Sequence, residues 1–317
     1  MIEQTFNPGE KLDHYRIDGV IARSAATTIF RAIDLRTEQQ VAIKVPNPEL
    51  EADPTFSDRF HREQEIGEQL NHAGLIKVVP DQDRSRPYIV MEWFEGKPLS
   101  QIMAEKISSE RAVRIVIAIC RALEYIHNHG IVHRDLQPAH ILVDSEDQIK
   151  LIDFGAAGQA AGKRITFTSI SQLTGGSEYI SPEELKGKRG DARSDIYAVG
   201  LILYEMVAGR KPFPNSDPFD RSLNHPVPPR AINAAISPQL QEVIYRALER
   251  EPKNRYANAH DFARDLEHLE QVGVADRAEL RDWKKGRSLQ PQKVVLYVSI
   301  ALIPIVIFAL LLYFASR

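Results

Sequence analysis

Cysteine is nearly absent: Cys120 stands alone in 317 residues, so the chain can form no disulfide with itself. It lies inside the apolar run RAVRIVIAICRALEYIH, which predicts a buried structural thiol and a reducing, cytosolic setting. An excess of positive charge is also missing. The 40 Lys and Arg are offset by 43 Asp and Glu, a formal net charge of −3, which excludes an electrostatic case for nucleic acid as a partner. The opening MIEQTFNPGEKLDHYRI has no apolar stretch behind basic residues, so no secretory signal is expected there. Internal repeats and low-complexity tracts are lacking as well. What remains is a chain with ordinary globular composition, 43% hydrophobic and 26% charged, and long enough to bury a large core.

Charge disappears altogether from Val294 to Ala315, VVLYVSIALIPIVIFALLLYFA. Such a run is long enough to cross the roughly 30 Å hydrocarbon layer as one helix. Pro304 would kink that helix and is tolerated there. Arg281, Lys284, Lys285, Arg287 and Lys293 precede the run, and only Arg317 follows it. The positive-inside rule then predicts a single-pass anchor in the inner (cytoplasmic) membrane, with the larger N-terminal part in the cytoplasm. Residues 271–293 read as a basic juxtamembrane linker that also suits anionic lipid headgroups.

Before the linker the pattern changes once. Short runs rich in Val, Ile and Tyr (YRIDGVIA, TTIFRAID, QQVAIKV and PYIVMEWF) predict strands, with one helix among them, SDRFHREQEIGEQLNH, opening at its Ser-Asp pair and ending near Gly74. From Ser108 helices dominate: SSERAVRIVIAICRALEYIHNHG with a serine cap and a stop at Gly130, the wholly apolar DIYAVGLILYEMVAG, then the amphipathic SPQLQEVIYRALER and NAHDFARDLEHLE. A small sheet-rich lobe and a large helical lobe joined through MEWFEGK is an α+β arrangement with a cleft.

Several short motifs follow one another in a telling order. VAIK ends in Lys44, HRDLQPAH carries Asp135, DFG carries Asp153, SPE spans Ser181 to Glu183, and DARSDIYAVG and PKNRY come after. From about Tyr15 to Leu269 the set resembles the eukaryotic-like serine/threonine protein kinases of bacteria. The resemblance implies a two-lobed kinase-like fold over residues 15–270 after an N-terminal extension of 1–14. Its N-lobe would cover about 15–91, its hinge about 92–96 and its C-lobe about 97–270, with the membrane helix at 294–315 appended. It also implies transfer of the ATP γ-phosphate to protein Ser or Thr hydroxyls, with Mg²⁺ or Mn²⁺ as cofactor. Lys44 would hold the α- and β-phosphates, Glu63 would fix Lys44, Asp153 would bind the metal, and Asp135 would accept the substrate proton. By the same resemblance Ala22 would belong to the phosphate loop, Ile29 and Ala42 would lie above the adenine and Leu142 below, and Glu92 and Phe94, behind Met91, would offer backbone groups to its edge. Arg134 would pair with phosphate on the activation segment, where Thr166, Thr168, Ser169, Ser171 and Thr174 are the acceptor candidates.

The pattern is broken in four places. The phosphate loop, glycine-rich in the family, reads ARSAAT, with Ala22, Ser24 and Thr27 in the glycine places. A stiffer loop with fewer amide contacts and weaker ATP binding is the expectation. His140 replaces the metal-binding asparagine; nitrogen suits Mn²⁺ better than Mg²⁺, so a manganese preference is expected. Gln137 replaces a lysine beside Asp135, and Gly175-Gly176 replaces a Gly-Thr pair before SPE. Loss of one charged stabiliser costs on the order of 10²–10³ in rate. Three functions therefore compete: an active membrane-anchored kinase, a pseudokinase scaffold for nucleotide or partner, and a small-molecule phosphotransferase, against which SPEELKG and the DARSDIYAVG helix argue. The protein substrate is left open, as is pairing of two copies into a homodimer through the small lobes or the anchor.

Overall fold

The structure is a computed structural model and describes residues 6–81, 83–159, 176–213, 224–277 and 280. The chain divides into two compact units, Met1–Gly273 and Val274–Arg317. The first contains both the sheet and the helices that the sequence predicts.

Its N-terminal part is an antiparallel sheet of β1 (Lys11–Leu12), β2 (Tyr15–Arg23), β3 (Thr27–Asp34), β4 (Gln40–Pro46), β5 (Val78–Val79) and β6 (Ile89–Glu92). Their spatial order is β1-β2-β3-β4-β6-β5. Strand periodicity sends alternate side chains to opposite faces. Ile17, Phe30, Ala32, Val41 and Ile43 form a small core on one face with Tyr15, Tyr88 and Val90. Ile29 and Ala42 are half-buried on the other face. PYIVMEWF yields only the four residues of β6 as strand, and the short β7 (Lys97–Pro98) follows.

Helix α1 (Pro54–Gln69) begins before the Ser-Asp pair and ends short of Gly74. Asp53 sets the start: its side chain accepts from the Thr55 and Phe56 amides, and Pro54 supplies a φ already suited to a first helical residue. After Gln69 the chain turns extended, because residues 74–76 pair elsewhere. Leu151 N–H donates to Gly74 O at 2.8 Å and Ile76 N–H to Leu151 O at 3.0 Å. Gly67 is needed for close packing, since a Cβ there would lie 2.3 Å from Val78 Cγ2.

The helical part is built on α2 (Ser109–Asn128), α3 (Ala192–Ala208), α4 (Pro238–Ala247) and α5 (Ala259–Glu267), capped by the side chains of Ser108, Asp191, Ser237 and Asn258. Gly130, at φ +73°, follows the end of α2, and Gly209, at φ +69°, ends α3. Cys120 is buried in the α2 face, and burial pushes its thiol up, away from reactivity. Helix α3 is buried almost all round, with Gly200 letting it approach Ala247. A single apolar cluster runs from Phe60 and Met91 through α2 and α3 to Leu266, joining sheet to helices.

The phosphate-acceptor candidates of the activation segment, the linker basics and the Val294–Ala315 run lie outside the described residues. Among the described residues no helix is long and apolar enough to cross a membrane.

Candidate active site

Between sheet and helices lies a cleft whose chemistry starts at Lys44. On β4 it alternates with buried Ile43 and Val45, yet its own side chain is only 9% exposed, so its ammonium must be satisfied internally. Nζ donates to Glu63 Oε1 at 2.6 Å and Oε2 at 2.8 Å, and lies 3.4 Å from Asp153 Oδ2. Glu65 and Glu68 share α1 with Glu63 but do not make this contact. Burial works against the Lys44 charge, but the Asp153 and Glu63 carboxylates outweigh it and push its pKa up. Burial lifts Glu63 in turn, against the pull of Lys44. The two-pronged contact favours the ion pair.

Asp153 follows β10 (Ile149–Leu151) and has φ +69°, a left-handed conformation costly for a residue with a Cβ. Gly155 N–H donates to its Oδ1 at 3.2 Å. Burial opposes its charge, yet Lys44, His140 and that amide hold its carboxyl well below the usual range. It is therefore an ionised hard-oxygen donor at neutral pH.

The loop bearing Asp135 leaves β8 (Ile131–Val132) and runs into β9 (Ile141–Val143). Its start hangs on one carboxylate. Asp195, buried on α3, accepts from the His133 and Arg134 amides at 2.9 Å each, and its Oδ2 lies 2.8 Å from His127 Nε2. This clamp holds Arg134 at φ +63°, the second left-handed residue beside the site. Arg134 Nε donates weakly to Gly190 O at 3.4 Å, and burial lowers its pKa, as does neighbouring Arg189. Asp135 is 28% exposed at the side chain; burial pushes its pKa up despite His140, which makes it a better proton acceptor than an ordinary aspartate.

Both unexpected residues of the loop lie at its centre. His140 Nδ1 is 2.8 Å from the Asp135 carbonyl oxygen, a contact that requires Nδ1 to carry the proton. Its Nε2 lies 3.9 Å from Asp153 Oδ2. Gln137 Nε2 lies 3.3 Å from that Nε2 and 3.4 Å from Asp135 Oδ1, bridging the two side chains without charge. Asp153 Oδ2 and His140 Nε2 are an oxygen and a nitrogen that could hold a divalent ion between them, a mixed set whose chemistry suits Mn²⁺ better than Mg²⁺. Among the described residues no group of three or more His, Cys, Asp or Glu is arranged to hold a metal.

The residues expected around the adenine show one common feature. Ile29, Ala42 and Leu142 are half-buried, whereas their strand neighbours Phe30, Ile43, Ile141 and Val143 are fully buried. Ile29 pairs with both Ala22 and Lys44 across the sheet, and Ala42 pairs with Met91. Glu92 follows Met91, and its carboxylate takes Lys150 Nζ at 2.5 Å and the Lys77 amide at 3.0 Å. Lys150 also sits 5.9 Å from the centre of the Phe94 ring.

Three of these contacts are invisible to motif reading. Asp195 is one, and the Lys150–Glu92 contact is another. The third joins two motifs: Arg255 of PKNRY donates to both oxygens of Glu183 of SPE at 2.7 Å, and Ser194 Oγ adds a bond to the same carboxylate. The motifs mark these positions; only the fold shows which pairs meet.

Comparison with known proteins points one way. The family described as "Protein kinase domain" matches residues 15–266. Serine/threonine-protein kinase PknB of Mycolicibacterium smegmatis is 35% identical over 270 residues, covering 82% of this chain and 43% of that protein. The PknB of Mycobacterium tuberculosis is 33% identical over the same length and with the same coverage. The chain thus spans less than half the length of these curated relatives. Among solved structures, the Mycobacterium tuberculosis PknI kinase domain matches with a TM-score of 0.65 and 26% identity, covering 84% of this chain and all of that one.

Proposed function

The chain belongs to the protein kinase domain family, and from that premise we propose that it is a serine/threonine kinase that moves the γ-phosphate of ATP to protein hydroxyls. The observation that carries this reading is Lys44 held at 2.6 Å by Glu63 and 3.4 Å by Asp153. Lysine, helix carboxylate and metal-binding aspartate must all be in place for phosphoryl transfer, and here they already are.

Each group has a task. Lys44 binds and orients the α- and β-phosphates, kept charged by its carboxylate partners. Asp153 and His140 would hold the divalent ion, which supplies charge neutralisation on the phosphates when bound. Asp135, raised by burial, takes the proton of the attacking hydroxyl. Gln137 orients Asp135 through its amide and adds no charge. Ile29, Ala42 and Leu142 exclude water around the adenine, with the backbone of Glu92 and Phe94 at its edge. ATP, with Mn²⁺ favoured over Mg²⁺, is the cofactor set this chemistry suits. We further assign the uncharged run at 294–315 as a single-pass anchor that keeps the kinase part at the cytoplasmic face of the inner membrane.

A nucleotide-binding scaffold without transfer is the competing reading. It is favoured by His140, whose imidazole stands where an amide oxygen would face the metal. Identifying the acceptor decides between them. After incubation with γ-labelled ATP, the kinase reading requires label on phosphoserine or phosphothreonine, from the chain itself or a generic protein substrate. The scaffold reading requires bound ATP and no phosphoamino acid.

A further inference from the structure

The loop between β2 and β3 lacks the glycines of its family, yet it is closely organised. Ser24 Oγ accepts from the Ala26 amide at 3.2 Å and from the Thr27 amide at 3.0 Å. The Ser24 amide donates to Thr27 O at 2.9 Å. Three amides of the turn are therefore spent inside the turn. A ring of backbone N–H groups is what such a turn would otherwise offer an anion. The side chain that consumes two of them occupies a glycine place.

A second residue clasps the same loop from outside. Asn47, three positions beyond Lys44, donates through Nδ2 to Ser24 O at 3.1 Å and through its amide to Ala26 O at 2.9 Å. Its Oδ1 accepts from Thr28 Oγ1 at 3.2 Å. Two of these bonds go to backbone carbonyls, so they do not depend on the Ser24 hydroxyl. The sheet register continues the connection: Thr28 pairs with Val45 and Ile29 with Lys44. The strand that carries the phosphate-binding lysine also anchors the loop above it.

We propose that Ser24 and Asn47 are positioning residues that hold the 22–27 loop in a self-capped turn, so that phosphate recognition rests on Lys44 and the metal and not on loop amides. This deepens the reading of the cleft as an ATP site and rests on it. Serine restores by hydrogen bonding the shape that glycine provides by conformational freedom, and the restored shape withholds amides from the nucleotide. Asn47 keeps that shape when the cap is removed.

The test is calorimetric titration of the full chain with adenosine and with Mg·ATP. Ser24→Ala frees the two amides while the Asn47 clasp persists. It should tighten ATP about tenfold, the scale of one added hydrogen bond to a charged group, and leave adenosine unchanged. Ser24→Thr retains the hydroxyl and should keep the wild-type ratio of the two affinities. Asn47→Ala removes the side-chain bonds to Ser24 O and Thr28 while its backbone bond to Ala26 O persists. Because the loop amides stay capped by Ser24, the ATP-to-adenosine ratio should stay at the wild-type value, and a ratio lowered about tenfold would show that the loop itself contacts phosphate and overturn the proposal. An ATP-to-adenosine ratio unmoved or lowered in Ser24→Ala, with wild-type protein binding both ligands, overturns the proposal alone. Wild-type protein that binds neither ligand overturns the ATP-site reading and this proposal together.

Discussion

His140 stands between the two aspartates of the site, its Nδ1 2.8 Å from the Asp135 carbonyl oxygen and its Nε2 3.9 Å from the Asp153 carboxylate. One ring thereby touches both aspartates, which come from different loops. The first contact puts a proton on Nδ1, and the ring then presents Nε2 to the Asp153 side.

Metal choice should follow from that atom. His140→Asn exchanges a nitrogen donor for an amide oxygen and should raise the Mg²⁺-supported rate relative to the Mn²⁺-supported rate by about tenfold. The ratio of kcat/KM in the two metals measures it, and an unchanged ratio removes His140 from the metal site.

Lys44→Met should separate catalysis from folding only in part. It strips charge from the phosphates, a loss on the order of 10²–10³ in kcat or more. It also leaves Glu63 buried without its partner, which costs stability. Pairing it with Glu63→Gln should recover much of the lost thermal stability and none of the activity. Thermal unfolding and kcat, measured on both variants, check the two halves separately.

Arg255 and Glu183 form a structural pair that joins two motifs. Arg255 is fully buried at its side chain and bonds both carboxylate oxygens. Arg255→Met leaves that buried carboxylate with only Ser194, and should lower stability by about 3–5 kcal/mol in denaturant unfolding. The Asp195 clamp behaves alike: Asp195→Asn should disturb both stability and kcat, because an amide has a single acceptor oxygen and cannot take both the His133 and Arg134 N–H groups that hold Arg134 at positive φ.

Glu184 gives a pH signature to stability. Burial raises its carboxyl from 4.5 to about 7, against bonds from Ser181. A carboxyl that binds its proton more tightly folded than unfolded makes stability fall as pH rises from the unfolded value to the folded one. The protein should therefore lose stability between pH 4.5 and about 7 from this group, by roughly 3 kcal/mol. Glu184→Gln should flatten that segment of the stability curve; a parallel curve would show that Glu184 does not titrate there.

The polar centre is legible in sequence because its residues are tied to short, rigid motifs. VAIK, HRD and DFG each place one side chain at a strand end or loop, and the fold brings Lys44, Glu63, Asp135 and Asp153 to one cleft. Strand and helix order is equally legible, since apolar periodicity records which face is buried. What escapes is long-range. Nothing local says that Arg255 meets Glu183 or Lys150 meets Glu92, because these pairs depend on how α3 and β10 pack. Helix α1 escapes at its ends: Asp53-Pro54 is a stronger start than Ser57-Asp58, and residues 74–76 are drawn to Leu151. The glycine-poor loop reads as a deficit in sequence, since the bonds of Ser24 to its own turn and to Asn47 show only in three dimensions.

The altered catalytic loop should still transfer phosphate. The most direct measurement follows ATP binding and γ-phosphate transfer together, on wild-type protein and on Asp135→Asn, with Mg²⁺ and with Mn²⁺. Both proteins should bind ATP equally well, and only the wild type should place phosphate on a Ser or Thr hydroxyl, faster with Mn²⁺. ATP bound by both and transferred by neither, in either metal, would contradict it.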